Sequence, residues 1–455
     1  MRCLELNLEK GHHSVSDEAF WMDLQVSEDS TPDDSDAQDS PGDGTGMHQV
    51  WALALSLSVL QVGFGIVTPI FPYYITAMNM GGVELGVLAA SFALTRILLA
   101  GPMGGLSDRA GRRPVLIFAL LGFAISNIMY AFAADVVLMI LARALEGAVS
   151  AGFFPAANAF VSDVTTPANR GTAMGYLSMG NMIGFVVGPT VGGVLAQYLG
   201  IRMPFIIAAG ATILTMVLLH VFVKEPVRVS IADSSTSRER VPIREVLARA
   251  KVEYGALGVA MFANMFAIGI LEVAFMLDAV ANIGIEPIQI GAFFGVMGVV
   301  MIIGNVGFGK LSDVQGRKWL IVVGAIVGAL SMYMFMVARD VGTFLVAGAI
   351  LAVGMSMRGP TIQAMIGDLT DPRAYGSVMG AFGAISNGAY VVSPLLSGYV
   401  YDETGSSSLS LLIAAFVSLA GGAVAAVALP DRTSPQVRSL ESVSVIEEVS
   451  LDPSD

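Results

Sequence analysis

A chain of 455 residues that is 55% hydrophobic and 13% charged is not an ordinary soluble protein, in which about a quarter of residues carry charge. Mean hydropathy is +0.71, and several apolar runs reach the roughly 20 residues that take a helix across a bilayer, so the composition points to a polytopic membrane protein. The net charge of −13 sits at the ends: residues 1–46 hold twelve acids against two bases, residues 430–455 hold six against two, and the rest is nearly neutral.

The acidic stretch 1–46 lacks apolar periodicity and reads as a disordered cytoplasmic tail. It contains the chain's one cysteine, Cys3, which excludes an intramolecular disulfide and a cysteine metal site. His12-His13 reads as a solvated pair rather than a metal site. No basic region leads into an apolar stretch and a cleavage site, so no signal peptide is expected. Twelve spans follow. Six centre near Phe64, Thr95, Ala124, Ala148, Phe185 and Ile213, and six near Phe266, Val299, Gly328, Gly354, Ala389 and Phe416. The expected organisation is an N-terminal six-helix bundle over 47–223, a cytoplasmic linker over 224–252, a C-terminal six-helix bundle over 253–429, and a second disordered acidic cytoplasmic tail over 430–455. The linker is basic, Ser-rich around Ser234, with a short surface helix expected near Ile243 to Arg249.

The two halves repeat. GGLSDRAGRRPVL, from Gly104 to Leu116, recurs 205 positions later as GKLSDVQGRKWLI, from Gly309 to Ile321. Gly104, Asp108, Gly111 and Arg112 map onto Gly309, Asp313, Gly316 and Arg317. Arg113 becomes Lys318, which keeps the charge, and Arg109 becomes Val314. The same offset carries Asp163, Gly175, Pro189 and Gly193 onto Asp368, Gly380, Pro394 and Gly398. Self-similarity at one offset means two copies of one structural unit. With the N-terminus inside, fifteen Lys and Arg fall in inside loops, against Arg202 and Arg339 outside. That asymmetry places both termini in the cytoplasm.

A charge at mid-bilayer costs roughly 2.5–3.5 kcal/mol on insertion scales. Arg96, Arg143, Glu146, Glu272 and Arg358 are therefore expected to face a cavity or one another. Arg143 and Glu146 stand three apart on one helix face and can pair. Glu272, in GILEVAFMLD, has no base nearby in sequence. It is the first candidate for a proton site, with a salt bridge to one of the arginines as the alternative. Arg96 and Arg358 are candidates to bind an anionic group or to cap carbonyls freed by a kink. Gln61 is a candidate cavity residue. Three arginines against two acids predict a mildly positive cavity. In the fifth span Gly184, Gly188 and Gly192 form a smooth stripe for a close neighbour, and Pro189 bends the helix.

The loop from Gly104 resembles the signature G-x-L-x-D-R-x-G-R-R/K of the major facilitator superfamily. The fifth span, GYLSMGNMIGFVVGPTVGG, with Gly175, Gly184, Gly188, Pro189, Gly192 and Gly193, resembles the motif of twelve-span drug/proton antiporters. The fourth span, RALEGAVSAG, is similar to their R-x-x-Q-G-x-G with Glu146 in place of Gln. Gly63, Gly65, Pro69 and Pro72 resemble their first span. However, Leu60 stands where many such exporters carry an acid, which argues against tetracycline-type export. The resemblance implies an all-α polytopic fold of twelve transmembrane helices in two pseudo-symmetric six-helix bundles, with a cavity opening alternately to each side. It implies gating by Gly104, Asp108, Arg109, Gly111, Arg112 and Arg113 and by Gly309, Asp313, Gly316, Arg317 and Lys318. It implies proton transfer assisted by Arg143.

The expected function is a proton-coupled antiporter that exports a small amphiphilic molecule or drug across the plasma membrane, acting as a monomer. Glu272, Glu146 and Arg143 are its coupling residues. The expected partners are a small-molecule substrate, protons and the lipid bilayer, with no nucleic acid, cofactor or metal. No nucleophile–base arrangement or phosphate-binding glycine loop with Lys points to an enzyme. Two other readings stay open at this point: a symporter or facilitator for a small organic anion, which the arginines favour, and a non-transporting membrane sensor.

Overall fold

The computed structural model describes residues 43–67, 70–166, 169–225, 247–248, 250–371 and 374–430. Cys3, His12-His13, Pro69, most of the basic linker with Ser234, and the acidic stretch beyond 430 lie outside these residues. Among the described residues, twelve helices are long and apolar enough to span a membrane: α1 Met47–Ala77, α2 Gly82–Ala110, α3 Arg112–Ala131, α4 Val136–Val164, α5 Arg170–Leu199, α6 Met203–Phe222, α7 Lys251–Ile283, α8 Pro287–Gln315, α9 Lys318–Val337, α10 Val341–Leu369, α11 Tyr375–Thr404 and α12 Ser408–Ala428. Among the described residues there is no strand.

The repeat fixes helix ends as well as spans. Asp135 accepts a hydrogen bond from the Leu138 amide at 2.9 Å and caps α4. Its mate 205 residues on, Asp340, accepts from the Thr343 amide at 2.9 Å and caps α10. Each satisfies a backbone N–H that the first turn leaves free. These hydrogen bonds hold the Asp340 carboxyl below the usual carboxylate range. Gly111 and Gly316 turn the chain between α2 and α3 and between α8 and α9 at φ of 106° and 95°. Residues with a Cβ rarely adopt that conformation, which explains a glycine in both loops.

Buried side chains form four clusters, and their membership defines the state of the molecule. The cluster of Val50, Leu53, Leu116, Phe160 and Leu219 draws only on α1–α6 and the residue after them. The cluster of Leu257, Ile321, Ile366, Val378 and Phe382 draws only on the second half. Both lie toward the end that carries Gly111 and Gly316. At the opposite end the clusters mix. Val273 and Leu277 of α7 pack with Ile70, Leu88 and Phe205 of the first half, and Tyr73 packs against the second-half cluster.

The helix seams agree. A Cβ at Gly82 of α2 would stand 2.6 Å from the Gly398 carbonyl of α11, and one at Gly291 of α8 would stand 3.0 Å from the Pro189 carbonyl of α5. At the Gly111 end, a Cβ at Gly104, Gly175, Gly309 or Gly380 would meet none of the described residues within 4 Å. The two bundles are shut at one end and parted at the end bearing the repeated loops.

The glycine stripe of α5 has a definite neighbour. A Cβ at Gly188 would lie 2.6 Å from the Val62 carbonyl of α1, and one at Gly192 would lie 2.6 Å from the Ile66 carbonyl. Gly184 abuts Gln61 on the same helix. Gly193 turns the other way, onto α8. A side chain at Gly188 must therefore push α1 off α5. Gly188→Val is expected to lose about 1–3 kcal/mol, the range for overpacking, read as a lowered Tm in detergent. Gly175→Val, in open space, is expected to leave Tm unchanged.

Candidate functional site

Arg143 and Glu146 stand on one face of α4, as their spacing of three requires. Arg143 Nη1 donates to Glu146 Oε2 at 2.8 Å. Tyr130, near the end of α3, donates from its hydroxyl to the same oxygen at 3.0 Å. Across the seam, Arg143 Nη2 reaches Glu272 Oε1 of α7 at 3.7 Å. The expected Arg143–Glu146 pair and Glu272 thus form one cluster with Arg143 as its centre, and Glu272 makes the salt bridge to an arginine expected as its alternative reading. The exposures differ in a way that matters: 1% for the Arg143 side chain, 0% for Glu146 and 14% for Glu272.

The walls are aromatic. The Arg143 guanidinium carbon lies 5.1 Å from the Phe64 ring centre, 5.1 Å from Phe71 and 4.9 Å from Phe92. Ring faces stabilise a desolvated cation by about 0.5–2 kcal/mol each. They also exclude water, so the charges feel a low dielectric and attract strongly. Among the described residues, Arg143 Nε and Glu146 Oε1 have no hydrogen-bond partner. The cluster is tied together without being fully satisfied.

Glu272 sits in a π-helical turn, Leu271–Phe275, and a second π turn follows at Ala279–Ile283. A π turn adds a residue to the helical repeat and is common where a side chain is aimed at a functional centre. Neither the π turns nor Tyr130 has a local signature in the sequence. Tyr130 could have been suspected only from pairing an aromatic hydroxyl on α3 with the unusual acid on α4.

Two of the three candidate cavity residues stay near the first-half helices. Arg96 lies over the Phe154 ring at 5.5 Å. Gln61 packs against Gly184. Arg358 requires a correction. It is 1% exposed and points into the second bundle, not the central cavity. Its Nη1 donates to Ser418 Oγ of α12 at 3.0 Å and its Nε to the Gly354 carbonyl at 3.4 Å. It lies against Gly324 and Gly328 of α9, whose missing side chains make the room. The mildly positive balance expected from sequence loses one base, which leaves Arg96 and Arg143 against Glu146 and Glu272. With Arg358 withdrawn, the central cluster holds one base and two acids.

The repeated loops lie at the parted end. Arg112 pairs with Asp108 at 2.6 Å and with Asp163 at 3.4 Å. Arg317 pairs with Asp313 at 3.8 Å and with Asp368 at 2.9 Å. Each Arg thereby joins its loop to the end of α4 or α10 in its own half. Glu225 adds a clamp in the first half, accepting from the Arg112 and Arg113 amides at 2.7 and 2.8 Å. A carboxylate on a helix N-terminus is a favourable charge–dipole contact. Lys318 starts α9 as Arg113 lies in the first turn of α3, and Arg109 lies in the last turn of α2.

Comparison with known proteins follows the same lines. A family model described as Major Facilitator Superfamily matches residues 53–261 and again residues 257–453. Multidrug resistance protein 2 of Bacillus subtilis is 27% identical over 372 residues, covering 81% of this chain and 92% of that protein. The tetracycline resistance protein, class H, of Pasteurella multocida is 26% identical over 362 residues, covering 78% and 90%. In fold, a bacterial homologue of the human lysosomal transporter Spinster, in an inward-facing and unoccupied conformation, aligns with a TM-score of 0.73 at 16% identity. It covers 86% of this chain and 99% of that one.

Proposed function

The chain belongs to the major facilitator superfamily of transporters, and from that premise we propose that it exports a small amphiphilic cation in exchange for protons. The observation that carries this is the central cluster, one guanidinium held between two carboxylates at 2.8 and 3.7 Å. Fully ionised, it carries a net charge of −1 in an apolar surround. Such a site takes up one positive charge and no more. A proton on a carboxyl satisfies it, and so does a cationic substrate beside it, so the two exclude each other.

The roles divide by geometry. Glu146 is sealed from the cavity and fixed by Tyr130 and Arg143. It acts as the standing counter-ion of Arg143. Glu272 is the member that keeps some exposure, and its contact with Arg143 is the long one. Protonating Glu272 removes its hold on Arg143, which is a tie between α4 of one bundle and α7 of the other. Loading a proton thus loosens the two halves at mid-membrane. The organic-anion reading needs a guanidinium free to meet the substrate. Arg143 is committed to two carboxylates and Arg358 is buried inside the second bundle, which leaves only Arg96 of the three intramembrane arginines.

The excess of basic loops supports an orientation in a cell membrane with both ends of the chain on the cytoplasmic side. The parted end is then the cytoplasmic one, ready to load substrate for export. The repeated loops around Asp108 and Asp313 hold their own halves rigid in this state and gate the cytoplasmic mouth as it closes. The protein works as a monomer of two halves, 47–223 and 253–429.

The test is proton flux in everted vesicles with an acid lumen. Lipophilic cations, neutral drugs and organic anions are added in turn while lumenal pH is followed. Lipophilic cations are expected to release lumenal protons, and the release is expected to vanish on de-energising. Proton release with organic anions alone, or with no compound, overturns the reading.

A further inference from the structure

The shut end of the molecule is held by an unusual cap. Helix α2 begins at Gly81-Gly82, and Gly81, at the capping position, has no side chain to offer its first amides. The helices α4 and α10 also begin at this end, and each brings its own Asp. In α2, Glu84 turns back only to the Gly81 amide, at 3.0 Å. The amides of Gly82 and Val83 are satisfied instead from the other bundle. Asp402, near the end of α11, accepts from Gly82 N at 2.5 Å and from Val83 N at 2.8 Å.

The two glycines are what permit this. A Cβ at Gly81 would stand 2.6 Å from Asp402 Oδ1, and one at Gly82 would stand 2.6 Å from the Gly398 carbonyl. The arrangement also breaks the repeat. At the same offset, Gly82 becomes Pro287, Gly81 becomes Glu286, and the partner of Asp402 is Gln197. Pro287 has no N–H to donate, and Gln197 carries no charge. The other seam therefore has neither half of the device: at the start of α8 the Gln289 side chain accepts from the Glu286 amide at 3.0 Å, as Glu84 does from Gly81, and Pro287 leaves one amide fewer to satisfy. A helix that needs only stability can take its cap from its own chain segment, as α4 and α10 do. A cap supplied across the seam is made only when the bundles are together at this end, and it is lost when they part.

We propose that Asp402 is the latch of the outer gate: its carboxylate, seated on the N-terminus of α2, favours the state that is shut at this end, and its release accompanies opening there. Charge adds to the two hydrogen bonds, because the α2 N-terminus carries the positive end of the helix dipole. The proposal rests on alternating access but not on which ion is coupled, so it can fail while the antiport reading stands, and the reverse.

The test measures the opening itself. Tyr198 of α5 and Tyr399 of α11 lie near this end in different bundles, 74% and 58% exposed. In the full chain, with Cys3→Ser, both are replaced by Cys, spin-labelled, and their distance distribution is recorded in lipid nanodiscs. Asp402→Ala is expected to raise the ratio of parted to shut molecules about fivefold, the scale of one charge-assisted cap. Asp402→Asn, which keeps an acceptor oxygen but no charge, is expected to give a smaller rise. Gln197→Ala, at the repeat mate, is expected to give none. Gly82→Ala approaches the same contact from the other side by wedging a methyl group against Gly398, and should shift the ratio in the same direction. It carries the test if Asp402→Ala does not fold. An unchanged distribution, with only a lower Tm, would make Asp402 an ordinary helix cap and overturn the proposal.

Discussion

Replacing Arg143 with methionine is expected to destabilise the protein by about 3–5 kcal/mol and to abolish transport. The magnitude is that of breaking a buried ion pair from one side. Glu146 is 0% exposed, so without Arg143 its charge keeps only the Tyr130 hydroxyl as a partner. The three phenyl rings that now face the guanidinium cannot supply the positive charge that is lost. The double replacement Arg143→Met with Glu146→Gln removes both buried charges. It is expected to recover most of the stability, because an apolar or neutral pair can replace a buried ion pair at little cost, and to recover no transport, because Glu272 then has nothing to release. Thermal melts in detergent beside vesicle transport separate the two effects. If the single variant melts with the parent, the cluster is not a coupled unit. If the double variant transports, Arg143 has no part in coupling.

What the sequence disclosed about this site follows physical range. Arg143 and Glu146 were legible as a pair because a spacing of three on a helix fixes their proximity. Glu272 was legible as a candidate because an acid inside a span needs a reason to be there. Its partner was not, since the α4–α7 contact depends on how two bundles meet and on a π turn that no residue pattern announces. Arg358 was read as a cavity residue because its span and its kink at Pro360 are visible. The direction of its side chain is set by Gly324, Gly328 and Ser418 on two other helices. The architecture was plain for the opposite reason: the 205-residue offset repeats turn glycines, loop charges and helix caps together. The latch at Asp402 escaped because it is a departure from that repeat, visible only once the repeat is known to hold on both sides of it.

Replacing Glu272 with glutamine is expected to leave the protein folded and to uncouple it. Glutamine keeps the size of the side chain and an acceptor oxygen for Arg143, but it carries no exchangeable proton and no charge. The remaining cluster, Arg143 with Glu146, is electrically neutral, so the site no longer needs a positive charge from either a proton or a substrate. Two results follow. Substrate-induced proton release from acid-loaded everted vesicles is expected to fall at least about tenfold, a change of about 1.4 kcal/mol or more in the coupled step. Binding of a lipophilic cation to the purified protein is expected to become both weaker and independent of pH. In the parent chain that binding should strengthen as pH rises, because a deprotonated Glu272 restores the net negative site. The sign is the useful part. If the parent binds the cation more tightly as pH falls, proton and substrate are helping each other, and the exchange mechanism is wrong even if Glu272 is the proton site. If the Glu272→Gln protein keeps the parent's pH dependence, the proton is carried elsewhere, and Glu146 with its unpartnered Oε1 becomes the acid to replace next.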